Sequence, residues 1–352
     1  MAESGTLDRR TISAALKRVD PVWELQRAER VGTSTLAVYR VTVEEPNRTM
    51  TWYLKATADG DNNRVATEAR LPALLGDVGL PVPAPRGLID DDPALPTPVV
   101  LLNELPGRTY DREFLPAMGD QRLFDLAHQV GEQLAALHRL DFVDSFGYLG
   151  PSGPTYDGKA PDPNPDAIRV VDPHERWRTR LETDIEQILS QLVATRFADL
   201  REHIREELER RIEALHGPFE PALARIDSSI ENVLVMGDRV VGLLDWEFTL
   251  AATPGYDIEH VATSLAGGPY RYAPDYPDRR DSIRDAVLEG YVEADGPTDP
   301  AQVRANRECY DILIAARSMV LLREWNRRFD IYDGIGGGAG RIREEYRALV
   351  EP

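Results

Sequence analysis

Two neighbouring stretches decide how this chain is read: Arg225-Ile-Asp-Ser-Ser-Ile-Glu-Asn-Val-Leu-Val235 and Val240-Val-Gly-Leu-Leu-Asp-Trp-Glu-Phe248. They read as two short apolar strands joined by a turn at Met236-Gly-Asp-Arg239. Each carries an acidic or amide side chain at one end. Asp227 and Asn232 are 5 residues apart, and Asp245 follows 13 residues later. Singly these are common turn residues. Together, flanked by Val-Leu-Val and Gly-Leu-Leu, they form a constellation of oxygen donors.

The chain before these stretches predicts a sheet. Residues 22–26, 35–43 and 50–56 are rich in β-branched and aromatic residues and read as strands, with a hairpin turn at Glu45-Pro-Asn-Arg48. A short amphipathic helix is expected over 10–20. Another is expected over 67–76, where Pro72 either kinks it or marks its first turn. Pro81-Val-Pro-Ala-Pro85 forces an extended connection, and a strand over 97–103 runs into Glu104-Leu-Pro-Gly107. After this the pattern turns helical: Leu126, Val130, Leu134 and Leu137 share one face. Residues 150–173 read as a surface loop and 175–215 as two charged helices. Further helices are expected near 257–265, 279–294, 301–330 and 341–349, with a glycine-rich loop over 330–340. Either 150–173 or the proline-rich stretch 269–280 suits the border of a substrate site. The fold class is α+β: an antiparallel sheet plus helix over 1–103, a hinge at 104–107, and a mostly helical lobe over 108–352.

Composition narrows the function. The net charge is -19, from 60 acidic and 41 basic residues. This argues against a nucleic-acid or anionic-membrane binder, which needs a basic surface. Only Lys17, Lys55 and Lys159 are lysines. An acidic surface with Arg in place of Lys points to a halophilic, high-salt cytoplasm, where screening tames self-repulsion. Arg-rich coding in an ordinary host would give the same composition. The lone Cys309 forms no internal disulfide, the first ten residues read as neither a secretory signal nor a transit peptide, and no run has the length of a membrane helix. A soluble, cytoplasmic protein is expected.

The two opening stretches resemble the catalytic and metal-binding loops of the aminoglycoside phosphotransferase-like kinases, small-molecule relatives of protein kinases that include the choline kinases. That family's pattern is His-Gly-Asp-x-x-x-x-Asn, then Asp-Trp-Glu. Here the last triplet is matched in full, and the His-Gly pair is Arg225-Ile226. The resemblance implies a two-lobed protein-kinase-like fold over nearly the whole chain and the cofactors ATP and Mg2+. Asp227 would be the catalytic base, and Asn232 and Asp245 would hold magnesium. Lys55, ending the strand Trp52-Tyr-Leu-Lys-Ala56, would contact the nucleotide phosphates and pair with Glu68. Gly32, Thr33 and Ser34 fall where the nucleotide-covering loop lies, and the backbone of Asn103, Glu104 and Leu105 would meet the adenine ring. Asp257 would support the loops without entering the chemistry, and His138 matches a recurrent helix ending as a packed histidine.

These roles describe an ATP- and magnesium-dependent kinase that moves the γ-phosphate to a hydroxyl of a small molecule, an aminoglycoside or a metabolite. The resemblance implies that Arg225 buttresses the loop as the family's histidine does, through backbone carbonyls or Asp245; the alternative that Arg225 suggests is a catalytically silent nucleotide-binding module acting through a protein partner. A protein kinase fits less well: no Ala-Pro-Glu-like segment occurs, and Asp257 follows Asp245 too closely for a peptide-docking loop.

Overall fold

A computed structural model of the chain describes residues 6–31, 36–46, 48–57 and 62–351. The predicted turn of Gly32, Thr33 and Ser34 therefore lies outside the described residues. The chain opens with helix α1 (Arg9–Val19), then β1 (Glu24–Arg30), β2 (Ala37–Glu45) and β3 (Arg48–Ala56). Helix α2 (Asn62–Asp77) follows, then β4 (Pro85–Ile89) and β5 (Val99–Asn103). The five strands form one antiparallel sheet in the order β1-β2-β3-β5-β4.

The period of two along each strand decides what each face does. Trp52, Leu54 and Ala56 of β3 and Val99 and Leu101 of β5 pack with Ile12, Ala15 and Leu16 of α1. The opposite face, with Val100 and Leu102, packs on Val65 and Ala69 of α2. Lys55 falls on that second face and so points toward α2. Pro72 sits inside α2, neither starting nor ending it. Its missing N–H would have bonded the Glu68 carbonyl one turn back.

The second part is built from α3 (Asp120–His138), β6 (Phe146–Pro151), β7 (Ile168–His174), α4 (Trp177–Leu192) and α5 (Arg201–Glu213). Then come β8 (Ala222–Ala224), β9 (Val233–Met236), β10 (Arg239–Leu243) and β11 (Leu250–Ala252). Helices α6 (Pro254–Leu265), α7 (Arg280–Glu293), α8 (Pro300–Phe329) and α9 (Gly334–Val350) complete it. Strands β9 and β10 form the expected hairpin. A second, four-stranded sheet runs β7-β6-β11-β8. No helix among the described residues is long and apolar enough to cross a membrane.

Two expectations are corrected. The segment 150–173 is not all loop: it contains the end of β6 and most of β7, and its middle bonds to β4, with the Leu88 amide 2.9 Å from the Lys159 carbonyl and the Gly158 amide 2.8 Å from the Leu88 carbonyl. The glycine-rich stretch before residue 341 is the first half of α9. A Cβ on Gly338 would approach Leu322 of α8 to 3.1 Å, so this glycine lets α9 lie close on α8. Packing overrides the poor helix propensity of the glycines.

Candidate active site

The loops 225–232 and 244–249 run side by side between the same two sheets. At one end β8 and β11 are paired, Ala224 opposite Leu250, and at the other β9 and β10 are paired, Val233 opposite Leu243. The Leu244 amide donates to the Asn232 carbonyl at 2.9 Å and binds the loops to each other. Asp227, Asn232 and Asp245, distant in sequence, thereby lie on adjacent loops. Asp227 is half-buried, and its carboxylate accepts from the Ser229 amide at 3.1 Å. The Asn232 side chain has no hydrogen-bond partner among the described residues.

Lys55 reaches these loops from the first sheet. Its ammonium lies 2.6 Å from a Glu68 oxygen and 2.8 Å from an Asp245 oxygen. Glu68 is fully buried on α2 and also accepts from the Trp246 amide at 3.4 Å. Burial opposes the Lys55 charge, but the two carboxylates prevail and raise its pKa. Burial likewise opposes ionisation of Asp245, yet the Lys55 ammonium, with Arg225 and Arg328 behind it, holds its carboxyl below the usual range. Burial pushes Glu68 up, only partly offset by Lys55.

Two residues to which sequence reading gave no firm role stand at this site. Glu247, the third member of the Asp-Trp-Glu triplet, is pushed up to about 8 by burial and by the charges of Asp245 and Glu68. Its signal was its place in the triplet. Arg225 is the second, buried to 1% exposure. Its Nε donates to the Ser228 hydroxyl at 2.7 Å, and one Nη reaches the carbonyls of Leu244 and, at 3.4 Å, Asn232. The guanidinium lies 4.6 Å from the centre of the Trp246 ring.

Beneath the loops, Asp257 accepts from the backbone amides of Arg225 (2.9 Å) and Ile226 (2.6 Å), and the His138 ring is 3.0 Å away. The loops are held in costly conformations. Ile226 and Asp245 have φ of 68° and 64°, a left-handed region that a β-branched residue rarely enters.

At the strand end, the Asn103 amide donates to the Ala84 carbonyl at 3.0 Å and its side-chain oxygen accepts from the Ala84 amide at 2.5 Å. Its N–H is thus already engaged. Glu104 pairs through its side chain with Arg40 at 2.9 Å. Beside the Asp227 loop, Arg112 lies 3.0 Å from Glu231, and the Tyr270 hydroxyl donates to Glu113 at 3.4 Å. Sequence gave no signal for the Arg112–Glu231 pair, which joins elements more than a hundred residues apart.

Magnesium demands oxygen ligands and commonly takes only one or two from protein carboxylates, the rest coming from phosphates and water. Asn232, Asp245 and Glu247 meet that chemistry. Among the described residues no three His, Cys, Asp or Glu side chains gather in a group that could hold a metal ion.

The sequence profile of the phosphotransferase enzyme family (APH) matches residues 28–305. No curated protein matches the chain. Solved structures with the same fold include the GDP complex of wild-type aminoglycoside 2'-phosphotransferase-IIIa, at 15% identity over 97% of this chain and 99% of that one, TM-score 0.60. A choline/ethanolamine kinase family protein from Mesorhizobium loti aligns at 17% identity over 97% and 95%, TM-score 0.57. The streptomycin–ATP ternary complex of APH(2″)-IIa aligns at 14% identity over 98% of each chain, TM-score 0.56. Identities this low speak for the fold, which is the two-lobed protein-kinase-like one. With the profile spanning the Lys55 strand, both loops and most of the helical part, the chain belongs to the phosphotransferase enzyme family and is a small-molecule phosphotransferase.

Proposed function

We propose that the protein transfers the γ-phosphate of ATP, with magnesium, to a hydroxyl of a small molecule. The observation that carries this reading is Lys55, one ammonium set between a buried glutamate and the aspartate of the Asp-Trp-Glu loop. Lys55, kept in register by Glu68, would meet the phosphates. Asn232 and Asp245, with Glu247 beside them, would hold magnesium, which when bound offsets the charge of the phosphates. The acceptor hydroxyl would attack the γ-phosphorus as the bond to the bridging oxygen breaks and ADP departs. Asp227 would take the hydroxyl proton. The backbone of Glu104 and Leu105, just past the end of β5, would face the nucleotide base, with 104–107 as the hinge between the parts 1–103 and 108–352.

Solved neighbours carry ATP in one case and GDP in another. The choice of ATP is part of the proposal, as is Gly32–Ser34 as a phosphate cover. For the acceptor wall, the stretch 269–280 is favoured over residues 150–173 because of Tyr270. Tyr270 contacts Glu113, next to the Arg112 that pairs with Glu231 of the Asp227 loop, whereas 156–159 docks on β4. The test is transfer of labelled γ-phosphate from ATP to a fractionated metabolite extract and a panel of aminoglycosides, with and without magnesium. A labelled small molecule formed only with magnesium is the expected result. Magnesium-dependent ATP binding with no label in any fraction would favour the silent nucleotide-binding module.

A further inference from the structure

We propose that Arg225 is a positioning residue: its single guanidinium ties the loop that presents Asp227 to the loop that presents Asp245, so that the two carboxylates keep one register. This rests on the roles proposed above for those carboxylates. Every hydrogen bond of the side chain goes to one loop or the other. On the first loop the acceptors are the Ser228 hydroxyl and the Asn232 carbonyl. On the second it is the carbonyl of Leu244, immediately before Asp245. Its own backbone amide is anchored on Asp257, so the residue is held from below while its side chain spans the gap above. The flat guanidinium covers the Trp246 ring and fixes the residue after Asp245 as well.

The bonds add a side-chain tie to two loops that the backbone bond from Leu244 to Asn232 joins at one end only. Ile226 and Asp245 both sit in the left-handed region, one on each loop. Such backbones persist only when their surroundings over-determine them. Packing alone does not account for a guanidinium here. Burial works against its charge and draws its pKa down to about 10, which still leaves it cationic at neutral pH. Its second Nη is buried without a partner among the described residues. An apolar side chain of the same length would cover Trp246 without either penalty. What only a planar fork provides is two or three donors in fixed directions across the two loops.

The test uses Arg225→Ala, Arg225→Lys and guanidinium ion. Truncation to alanine leaves a slot bounded by the Ser228 hydroxyl, two carbonyls and an indole face. Hydrogen exchange of the full-length protein needs no acceptor substrate. In Arg225→Ala the amides of 227–229 and 244–246 are expected to exchange roughly tenfold faster, as one group. About 10 mM guanidinium chloride should re-protect both sets together, and the same concentration of tetramethylammonium chloride should not. With a labelled acceptor in hand, transfer is expected to fall roughly 100-fold in Arg225→Ala and to recover with guanidinium, while KM for ATP moves by no more than about threefold. Arg225→Lys should keep nucleotide binding but not transfer, because one ammonium cannot span both loops. Faster exchange confined to one loop would overturn the proposal, as would a folded alanine variant that guanidinium does not rescue. Where the alanine variant does not fold, a lysine variant with unchanged exchange in both loops would also overturn it. A wild-type protein that never binds magnesium with ATP would instead contradict the functional reading and leave the exchange result to stand by itself.

Discussion

Lys55 shares one positive charge between two carboxylates, and the consequences of removing it can be stated. Lys55→Met would leave Glu68 buried and uncompensated, and unpairing a buried charge typically costs about 3–5 kcal/mol. Because the lysine is 13% exposed and Asp245 30% exposed, the lower end, about 3 kcal/mol, is expected in denaturant unfolding. The double variant Lys55→Met, Glu68→Leu should regain most of that stability while nucleotide binding stays lost. Glu247 gives a pH signature. Its folded-state pKa is raised from 4.5 to about 8, so the folded protein holds a proton that the unfolded chain has released over that interval. Stability attributable to this group is full below about pH 4.5 and is lost as the pH rises to about 8. In metal-free thermal melts, Glu247→Gln should therefore gain on wild type from pH 5 to pH 8. Adding magnesium with nucleotide should shrink that gain, because a cation favours the ionised glutamate. A gain independent of pH would count against this assignment. Lys55 was legible because lysine is so rare here that its place at a strand end carried information. Arg225 was legible as a departure from a pattern, but its bonds to three acceptors on two loops have no trace in residue spacing.

Among the elements, α3 and α7 cross closely enough to exclude side chains. A Cβ on Gly131 would lie 2.0 Å from the Val287 carbonyl oxygen, and one on Gly290 would lie 2.0 Å from that of His128. Gly131→Ala must push backbone against backbone and is expected to cost about 3 kcal/mol. Since α3 ends in His138, which meets Asp257 under the Asp227 loop, transfer activity should fall along with the melting temperature. An unchanged melting temperature would refute the crossing. The long helices were readable from their apolar spacing, as in α3, where Leu126, Val130, Leu134 and Leu137 all lie in the core. The sheet made by β6, β7, β8 and β11 was not. Strands β8 and β11 are three residues long and buried throughout. They show no alternation, and nothing local distinguishes them from loop. The start of α9 was misread for the opposite reason: its glycines argue locally against a helix that its neighbours enforce.

For the whole molecule, the net charge of -19 repels itself in the compact state. The screening length falls from about 10 Å at 0.1 M salt to about 3 Å at 1 M, so the repulsion is screened more strongly. The melting temperature is therefore expected to rise between these KCl concentrations. A fall would mean that surface ion pairs such as Arg205–Glu186 and Arg343–Asp199 outweigh the net repulsion. The two-part architecture was legible because the longer strand-like stretches come before residue 104 and the long helical periodicities come after it. The convergence of Lys55, Glu68 and Asp245 was expected only through the family resemblance, since contacts spanning 190 residues are invisible to local pattern. The most direct test compares wild type with Asp227→Asn for γ-phosphate transfer and for magnesium-dependent binding of ATP. Transfer lost by roughly 100-fold or more with ATP affinity unchanged within about threefold is expected of a catalytic base. Transfer persisting at the wild-type rate in Asp227→Asn would contradict the assignment of this site.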